Sequence, residues 1–391
     1  MEKVSLIVLA GGKGARFKPF TDNIPKPLLR IAGKPSLEYN LDSALPFINE
    51  IIIVVGHLKE RIINLFGNFY KGIPIKYIEQ TEQLGTGHAV AMVRDLVSND
   101  SFLLIYGDDI YDTKLFEAIS GKSRAVLGKK EANWQNFGVF QIKDKKYLDK
   151  IIEKPQQFVG DLVNIGVYKL DKNIFDYYEK IKKSIRGEYE FTDMLTLYAQ
   201  DYLLEVIECK EGWIPLSYPW NILDAAKLQL ERMETKIEGT IEQGVKLEGK
   251  LRLGKNSVIK TGSSLKGNFW IGDNCLIDEN CTLEEYAVIG DGCKIMKDNK
   301  ILRSSIGNHI VMKEGANIAD SLIGSRVVVG RWAIVEGQNN DGSNIYVEIN
   351  ERLVDTGRSH FGAIVGDGLM VLESSLLPPG AVLTKKPKSY L

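Results

Sequence analysis

A glycine-rich turn followed by two isolated cations is the part of this sequence best suited to binding an anion. The stretch LAGGKGARFKPF, residues 9–20, follows an apolar run, and Lys26 stands between two prolines in IPKPLL. Glycines lack Cβ atoms, so an anion can approach the backbone N–H groups where a strand turns into a helix. The guanidinium of Arg16 suits phosphate oxygens, and the prolines stiffen the backbone that carries Lys26. These residues predict a site for a ligand that carries phosphate.

The turn matches neither of two common phosphate-binding loops. A Walker A loop needs G-x-x-x-x-G-K-[ST], which is absent here. In the dinucleotide fingerprint Phe17 would stand where the third glycine belongs, and no acidic residue follows at the expected place near position 35. On this segment alone, a glycine-rich turn without a ligand therefore stays open as the alternative.

The elements that must position these residues alternate between strand-like and helix-like patterns. Short β-branched runs predict buried strands, namely VSLIVLA, EIIIVVG, IPIKYIEQ and SFLLIYGDD. Helical patterns lie between them, including PSLEYNLDSALPFI and GTGHAVAMVRDLV. This alternation predicts an α/β domain over residues 1–220, with a mainly parallel sheet covered by helices on both faces. Apolar residues with helical spacing predict a connecting helix over 221–238.

From residue 239 to 391 the sequence predicts a second domain of a different kind. Eleven aliphatic residues recur in steps of six between Ile241 and Ile301. A helix cannot use that period, whereas a solenoid with three six-residue sides per coil can stack these residues into one core. After Ile301 the register slips, 337–362 is predicted as an inserted loop, and one more coil follows it.

The cysteine spacing favours packing over metal binding or disulfide formation. Three of the four cysteines fall in a column of mostly small residues, four positions after the repeating aliphatic residues. The spacing is not that of a zinc site. We therefore expect them to fill the interior of the solenoid; they are Cys275, Cys281 and Cys293.

Composition excludes several classes of partner. Lys and Arg total 50 against 51 for Asp and Glu, so the net charge of -1 gives no support for binding nucleic acid or an anionic membrane. No apolar run approaches the ~18 residues of a membrane span, and the N-terminus does not read as a signal peptide. We therefore expect a cytoplasmic protein.

Taken in order, the motifs of the first half resemble those of the sugar-1-phosphate nucleotidylyltransferases. They are LAGGKGARFKPFT…PKPL, QTEQLGTGHAV (80–90), YGDD (106–109), NFG (136–138), EKP (153–155), NIGVY (164–168) and GEYEFTDML (187–195). With the hexapeptide repeats, the chain resembles the bifunctional N-acetylglucosamine-1-phosphate uridyltransferase/glucosamine-1-phosphate acetyltransferase group, particularly its archaeal members. The resemblance implies a Rossmann-like mixed, mainly parallel sheet, then a left-handed parallel β-helix that associates as a homotrimer.

The resemblance also implies a reaction: Mg²⁺-dependent transfer of a nucleotidyl group from UTP or dTTP to a sugar 1-phosphate. The acceptor would be glucose 1-phosphate or N-acetylglucosamine 1-phosphate, and pyrophosphate would leave. Arg16 would neutralise the pyrophosphate, Lys26 would bind the α-phosphate, and Asp108 would hold the metal. The implied nucleotide-binding residues are Leu9, Ala10, Gly11, Gly12, Gly14, Gln80, Gly85 and Thr86. The implied sugar-phosphate-binding residues are Gly138, Glu153, Lys154 and Asn164.

Two of these positions carry chemistry that can be stated from the residue type. The Gln80 amide has a donor and an acceptor, which suits the O4 and N3–H edge of uracil or thymine. Asp108 ends an apolar run, and its carboxylate is a ligand that Mg²⁺ prefers; a turn-forming role is the alternative. We expect UTP to be the preferred nucleotide substrate, followed by dTTP.

The sequence departs from the family pattern at two places. Relatives have a second metal carboxylate in W-x-D-x-G-x-P-W, where this chain has Pro215, so Asn221 or Asp109 would have to replace it unless phosphates and water complete the site. Glu314 stands where the bifunctional relatives have a catalytic histidine. This argues against acetyl transfer.

Two other readings stay open. One is a regulatory or scaffold subunit that binds a nucleotide sugar without turnover. The other is an acetyl-CoA-dependent acyltransferase, for which only His309 and His360 would remain as bases, outside the expected motif.

Overall fold

The computed structural model describes residues 3–385, which divide into two compact units. Unit 1 contains the residues up to Lys13, then Asn23–Leu29 and Pro35–Pro215. Unit 2 contains Gly14–Asp22, Arg30–Lys34 and the chain from Leu216 onwards. Residues 1–2 and 386–391 of the two expected domains lie outside the described residues.

Unit 1 is built on a twisted sheet with helices on both faces. The helices are α1 Ser36–Ala44, α2 Lys59–Phe66, α3 Thr86–Met92, α4 Thr113–Ser120 and α5 Phe191–Asp201, with 3₁₀ turns at Lys26–Leu28, Leu45–Phe47, Trp134–Asn136 and Lys172–Lys180. The strands up to Pro215 are β1 Val4–Leu9, β2 Arg30–Ile31, β3 Lys34–Pro35, β4 Ile48–Val55, β5 Phe69–Tyr70, β6 Ile73–Glu79, β7 Ser101–Tyr106, β8 Ile110–Tyr111, β9 Ala125–Lys130, β10 Gly138–Lys143, β11 Tyr147–Glu153, β12 Leu162–Asp171, β13 Glu205–Glu208 and β14 Trp213–Ile214. Of these, β2 and the first residue of β3 belong to unit 2.

The order of the strands determines where a ligand site can form. The main sheet runs β10-β11-β13-β9-β12-β7-β1-β4-β6-β5, and β7, β1, β4 and β6 are parallel. The antiparallel strand β12 separates them from the parallel pair β9 and β13. The chain moves from β1 to β4 and β6 on one side, but β7 lies on the other side of β1. Ligands of open α/β sheets bind outside the carboxyl ends of the strands at such a reversal, which here lies between β1 and β7.

Both faces of this sheet are buried, which explains the unbroken apolar runs. Neighbouring residues of β1 point to opposite faces: Val8 packs in the core under α1, α2 and α4, and Ile7 packs in the core under α3 and α5. Both side chains are fully buried. The mixed α/β sheet predicted from the sequence is confirmed, with strand bounds that differ by one to three residues from the predicted runs.

Unit 2 is a parallel β-helix, as the six-residue period predicts. Its strands are β15 Lys236–Ile237, β16 Thr240–Ile241, β17 Lys246–Glu248, β18 Leu251–Leu253, β19 Val258–Ile259, β20 Ser264–Ile271, β21 Leu276–Ile277, β22 Thr282–Ile289, β23 Lys294–Ile295, β24 Lys300–Ile306, β25 Val311–Met312, β26 Asn317–Ala319, β27 Leu322–Ile323, β28 Val328–Val329, β29 Ile334–Val335, β30 Tyr346–Ile349, β31 Arg352–Asp355, β32 Ile364–Val365, β33 Met370–Val371, β34 Leu376–Leu377 and β35 Val382–Leu383.

The register shows why a period of six produces one core. Leu253 aligns with Ile271, and Ile271 aligns with Ile289, so successive coils repeat every 18 residues. These side chains are fully buried. Leu247 in the first coil is 36% exposed, because no earlier coil covers it. The stacked aliphatic residues therefore form the apolar core of the unit.

The predicted slip after Ile301 shortens one coil by a residue. Ile289 aligns with Ile306, 17 positions later, and the ladder is irregular between Glu284 and Ala287. The predicted insertion at 337–362 contains the hairpin of β30 and β31, and a further coil follows in β32–β35.

Three cysteines fill the interior of the β-helix, as their spacing predicts. The thiols of Cys275, Cys281 and Cys293 donate to backbone carbonyls 3.0–3.1 Å away. All four cysteines of the chain are free.

The helix expected over 221–238 is shorter than predicted. It is α6, Asn221–Arg232, and Met233 already has an extended backbone. Ile237, which continues the apolar helical spacing, instead pairs with Leu253 as part of β15. Pairing with the first coil therefore overrides the local helical pattern.

Two short early segments pack within unit 2. A Cβ placed on Gly33 would overlap the ring of Trp270, and one on Gly366 would lie 2.9 Å from Cγ of Pro19. The segments Gly14–Asp22 and Arg30–Lys34 therefore fold with the β-helix, although they come from the beginning of the chain.

Candidate active site

The glycine turn lies at the carboxyl end of β1, where the strand order reverses between β1 and β7. The N–H of Ala10 donates to Val54 O at 2.8 Å, and the N–H of Gly107 donates to Leu9 O at 2.9 Å. Gly12 is exposed, and a Cβ built on it would meet no atom within 4 Å. The turn after β1 therefore presents open backbone beside the turn after β7.

Lys26 and Asp108 meet at this edge of the sheet. The ammonium of Lys26 lies 2.7 Å from Oδ2 of Asp108, although 82 positions separate the two residues. The Lys26 side chain is only 8% exposed, whereas that of Asp108 is 43% exposed. The pair therefore combines a fixed buried cation with a carboxylate that a ligand or a metal ion can reach.

The residues predicted to read the base lie on the loop after β6. The N–H of Gln80 donates to Val55 O at 2.8 Å, and the amide of Gln83 donates to Gly11 O at 3.1 Å. These bonds hold the loop against the glycine turn. Gly85 has a φ of 104°, and a Cβ there would lie 2.5 Å from Tyr189 O, so only glycine fits. The hydroxyl of Thr86 accepts the N–H of Phe191 at 3.0 Å.

The predicted sugar-phosphate residues form one cluster. Gly138 is aligned with Glu153 across β10 and β11, and a Cβ on Gly138 would lie 3.0 Å from Oε2 of Glu153 and 3.8 Å from Cβ of Asn164. Lys154, whose φ is 46°, directs its ammonium to within 3.8 Å of Oε1 of Glu153. The structure therefore brings all four residues together.

Burial and neighbouring cations act on the Glu153 carboxyl group of this cluster in opposite directions. Burial raises the pKa of Glu153, and the cations of Lys154 and Arg186 oppose that rise. The Arg186 guanidinium lies 3.8 Å from Glu153 and 2.7 Å from the buried carboxylate of Glu190. A carboxylate flanked by two cations can accept a hydrogen bond from a hydroxyl group while the cations attract phosphate.

Asn164 is held by its neighbours. Its Oδ1 accepts the N–H of Gly166 at 3.0 Å, and its Nδ2 lies 2.7 Å from the hydroxyl of Tyr168. That hydroxyl lies 3.1 Å from the hydroxyl of Tyr106. Burial raises the pKa of both tyrosines, so the chain of hydroxyl groups stays neutral and holds the amide in place.

Arg16 and Gly14 belong to unit 2. Gly14 has a φ of 62°, a conformation that favours glycine. Arg16 is exposed, and its guanidinium lies 5.2 Å from the centre of the Tyr218 ring, a cation–π distance.

The substitutes considered for a second metal ligand are engaged elsewhere. Oδ2 of Asp109 accepts the indole N–H of Trp213 at 2.9 Å. In unit 2, Oδ1 of Asn221 accepts the N–H of Tyr218 at 2.9 Å, next to the start of α6. Within residues 3–385 no group of three or more His, Cys, Asp or Glu side chains is arranged to hold a metal. The metal-binding role of Asp108 therefore stays a prediction, without a second side-chain ligand from these two residues.

The residues considered for acetyl transfer have structural partners in unit 2. Glu314 accepts the guanidinium N–H of Arg331 at 2.8 Å, which lowers the pKa of that carboxyl group. His309 has a φ of 56° and covers Gly292 at a corner of the coil. His360 is exposed and forms an isolated bridge with Gln338.

Sequence reasoning missed several contributors to the site. Tyr106, Tyr168 and Arg186 lie inside or beside the quoted motifs, but only the fold shows that they contact Asn164 and Glu153. His88 is a further one, in the segment GTGHAV, where its ring reaches Gln80. A polar residue inside an otherwise apolar helical stretch was the available signal.

Two family models match different parts of the chain. Residues 5–229 match the nucleotidyl transferase family model, and residues 265–387 match the model described as GMPPB C-terminal domain. Bifunctional protein GlmU of Methanocaldococcus jannaschii is 35% identical over 373 residues, which covers 95% of this chain and 90% of that protein. The bifunctional sugar-1-phosphate nucleotidylyltransferase/acetyltransferase of Sulfurisphaera tokodaii is 31% identical, with 98% and 95% covered.

A solved structure shows the likeness of the first half. The putative glucose-1-phosphate thymidylyltransferase of Bacillus anthracis superposes with a TM-score of 0.52 and 27% identity, covering 57% of this chain and 94% of that one. Among the described residues, no helix combines the length and apolar character needed to cross a membrane.

Proposed function

The chain belongs to the nucleotidyl transferase family, and we propose that it makes a nucleotide sugar by transferring a nucleotidyl group from UTP or dTTP to a sugar 1-phosphate. One observation carries the proposal. The exposed Gly12 backbone and the Lys26–Asp108 pair meet at the strand-order reversal between β1 and β7. Ligands of open α/β sheets bind at such reversals.

The reaction needs charge neutralisation more than acid–base chemistry. An oxygen of the sugar 1-phosphate attacks the α-phosphorus, and the bond from that phosphorus to the bridging oxygen of the β-phosphate breaks. The attacking oxygen is already an anion, so no side chain has to remove a proton. The obstacle is repulsion between two polyanions, which fixed cations and open N–H groups reduce. Lys26 supplies a buried ammonium for the α-phosphate, and Arg16 would meet the leaving pyrophosphate.

The donor set fits Mg²⁺ in one particular way. Mg²⁺ is commonly bound by one or two carboxylates together with substrate phosphates and water. The accessible carboxylate of Asp108 supplies the one protein ligand, and Pro215 cannot supply another. When bound, the ion would neutralise phosphate charge. Asp108 also orients Lys26 through their ion pair.

The second substrate would bind at the Gly138–Glu153 cluster. Glu153 accepts a sugar hydroxyl, and Lys154 with Arg186 attracts the sugar phosphate. Asn164, fixed by Tyr168, offers its remaining amide N–H to the sugar. Glucose 1-phosphate and N-acetylglucosamine 1-phosphate both carry the groups that this set recognises.

The experiment is pyrophosphate release, measured with UTP or dTTP and each sugar 1-phosphate in the presence of Mg²⁺. We expect turnover with at least one pair, and its near-abolition in Asp108→Ala and Arg16→Ala. Full activity of Asp108→Ala would refute the metal assignment. Binding of the nucleotide sugar without turnover in any combination would instead favour the regulatory subunit.

The proposal includes a homotrimeric, cytoplasmic protein with domains at 1–220 and 239–391. The trimer rests on the family resemblance. Light scattering coupled to gel filtration measures it directly, and we expect three times the mass of one chain.

A further inference from the structure

The two N–H groups of the Gln80 amide are already bonded within unit 1. Nε2 lies 2.9 Å from the carbonyl oxygen of Gly85 and 3.1 Å from Nδ1 of His88. A carbonyl oxygen can only accept, so the atom next to Gly85 must be the nitrogen of the amide. This fixes which end of the amide is which.

The oxygen of the Gln80 amide, Oε1, points to the glycine turn. A Cβ built on Gly11 would lie 3.4 Å from Oε1 of Gln80, so the oxygen faces the glycine turn. Gln80 is only 5% exposed, and its loop is anchored by Gln83. Gln80 therefore offers the site an acceptor and not the donor–acceptor pair that its residue type suggests.

The same contacts determine the proton position on His88. Because Nε2 of Gln80 can only donate, Nδ1 of His88 must accept, and the proton of the neutral ring is on its own Nε2. Burial lowers the pKa of His88 and so favours the neutral ring, whereas the charge of Glu82 has a smaller, opposite effect on that pKa. Tyr178 is the aromatic neighbour of the ring, at 6.1 Å between centroids.

We propose that His88 is a positioning residue for base selection: with Gly85 O, it holds the Gln80 amide so that only Oε1 faces the base. This rests on the proposed function, because it assigns the base subsite of that same reaction. A flipped amide would place its oxygen against the carbonyl oxygen of Gly85, where repulsion disfavours it. It would also lose its hydrogen bond to Nδ1 of His88 unless the ring changed to its other tautomer.

An outward oxygen selects for a base with an N–H donor at that point. Uracil and thymine carry an N3–H group, from which the Gln80 oxygen can accept a hydrogen bond. Cytosine has a lone pair on N3, which would face the lone pairs of Oε1. UTP and CTP have the same ribose, triphosphate and ring size and differ only at positions 3 and 4 of the base, so their ratio reports on recognition of this edge of the base.

The test compares two substitutions at His88 with a control substitution at a second residue. His88→Phe keeps a ring but removes the acceptor. His88→Asn can place an amide oxygen near the former Nδ1, and Arg94→Ala, at an exposed ion pair just beyond α3, is the matched control. For each, kcat/KM is measured for UTP, dTTP and CTP at saturating sugar 1-phosphate, together with the Mg²⁺-dependent affinity of each triphosphate by calorimetry.

We expect the wild type to prefer UTP and dTTP over CTP in both measurements. His88→Phe should lower the UTP:CTP ratio by about tenfold, the effect of one hydrogen bond, through a loss for UTP and dTTP. His88→Asn should recover most of the ratio, and Arg94→Ala should not change it.

Two results would overturn the inference. One is equal use of UTP and CTP by the wild type. The other is an unchanged UTP:CTP ratio in His88→Phe, whether activity is kept or is lost equally for both triphosphates, and an equal loss would show a merely structural role. Absence of turnover with every triphosphate would refute the proposed reaction, whereas the calorimetric UTP:CTP ratio would still decide the role of His88.

Discussion

Gly12→Ala tests the phosphate-binding turn without disturbing the free protein. A Cβ at Gly12 meets nothing within 4 Å, and Gly12 is not among the glycines with positive φ. The added methyl group therefore causes neither a clash nor backbone strain. Gly11 is less suitable, because a methyl group there would touch Gln80 and Val55 at 3.4 Å. Any effect of Gly12→Ala must come from the ligand.

The size of the effect follows from the geometry of an anion on backbone N–H groups. A methyl group projects about 1.5 Å from Cα, the length of a carbon–carbon bond, into the space that a phosphate oxygen would occupy. The phosphate must move away and lose one N–H contact. A hydrogen bond to a charged group contributes about 1.5–3 kcal/mol. The expected loss in UTP affinity is therefore roughly 10- to 150-fold.

The assay is steady-state pyrophosphate release with UTP varied, then with the sugar 1-phosphate varied, alongside thermal unfolding. We expect a higher KM for UTP, an unchanged KM for the sugar 1-phosphate and an unchanged Tm. Gly121→Ala is the matched control, because Gly121 at the end of α4 also has open space and a φ of −79°. An unchanged KM for UTP in Gly12→Ala would refute the assignment of this turn to the triphosphate.

The other predictions concern the sugar site, the β-helix and the thiols. Burial raises the pKa of Glu153 above its ordinary value of 4.5, so the KM for the sugar 1-phosphate should rise as the pH falls through that raised pKa. Glu153→Gln should remove this pH dependence of KM. A wild-type pH profile in the variant would contradict the role of Glu153. Ile277→Ala should lower the free energy of unfolding in urea by about 2–5 kcal/mol, because the Ile277 side chain is fully buried. Leu247→Ala should lower it clearly less, because Leu247 is already exposed. Equal losses of unfolding free energy would contradict the stacked core. Burial raises the pKa of Cys209 and of Cys281 to about 11 each, and Cys275 and Cys293 are buried away from a reagent. A thiol reagent at pH 7 should therefore react slowly with the native protein and rapidly with all four cysteines in guanidinium; a fast native thiol would refute this.

The β-helix was largely predictable because its signal repeats. Each coil needs an aliphatic residue at the same place, so the spacing from Ile241 to Ile301 reports the architecture directly. The end of α6 was not predictable in the same way. Met233 and Ile237 continue the helical spacing, and only pairing with β18, far along the chain, decides that the helix has ended.

The candidate site shows the same division between local and distant information. The residue types at Lys26 and Asp108 indicate phosphate and metal chemistry, but nothing local shows that the two side chains form a pair across 82 positions. The amide of Gln80 suggests two hydrogen-bonding functions, and only the positions of Gly85 O and His88 reveal that one is already used. Motifs identify the chemical groups, whereas the fold determines which of their atoms remain for a ligand.

The placement of Gly14–Asp22 and Arg30–Lys34 in unit 2 limits how the gene could be divided. A fragment ending near Pro215 would keep both segments but lose their packing partners, such as Trp270 for Gly33 and Gly366 for Pro19. Arg16 lies in one of them and would lose Tyr218. Exchanging C-terminal halves between relatives would therefore also change the support of an arginine encoded near the start of the gene, so the halves should evolve together rather than as interchangeable cassettes.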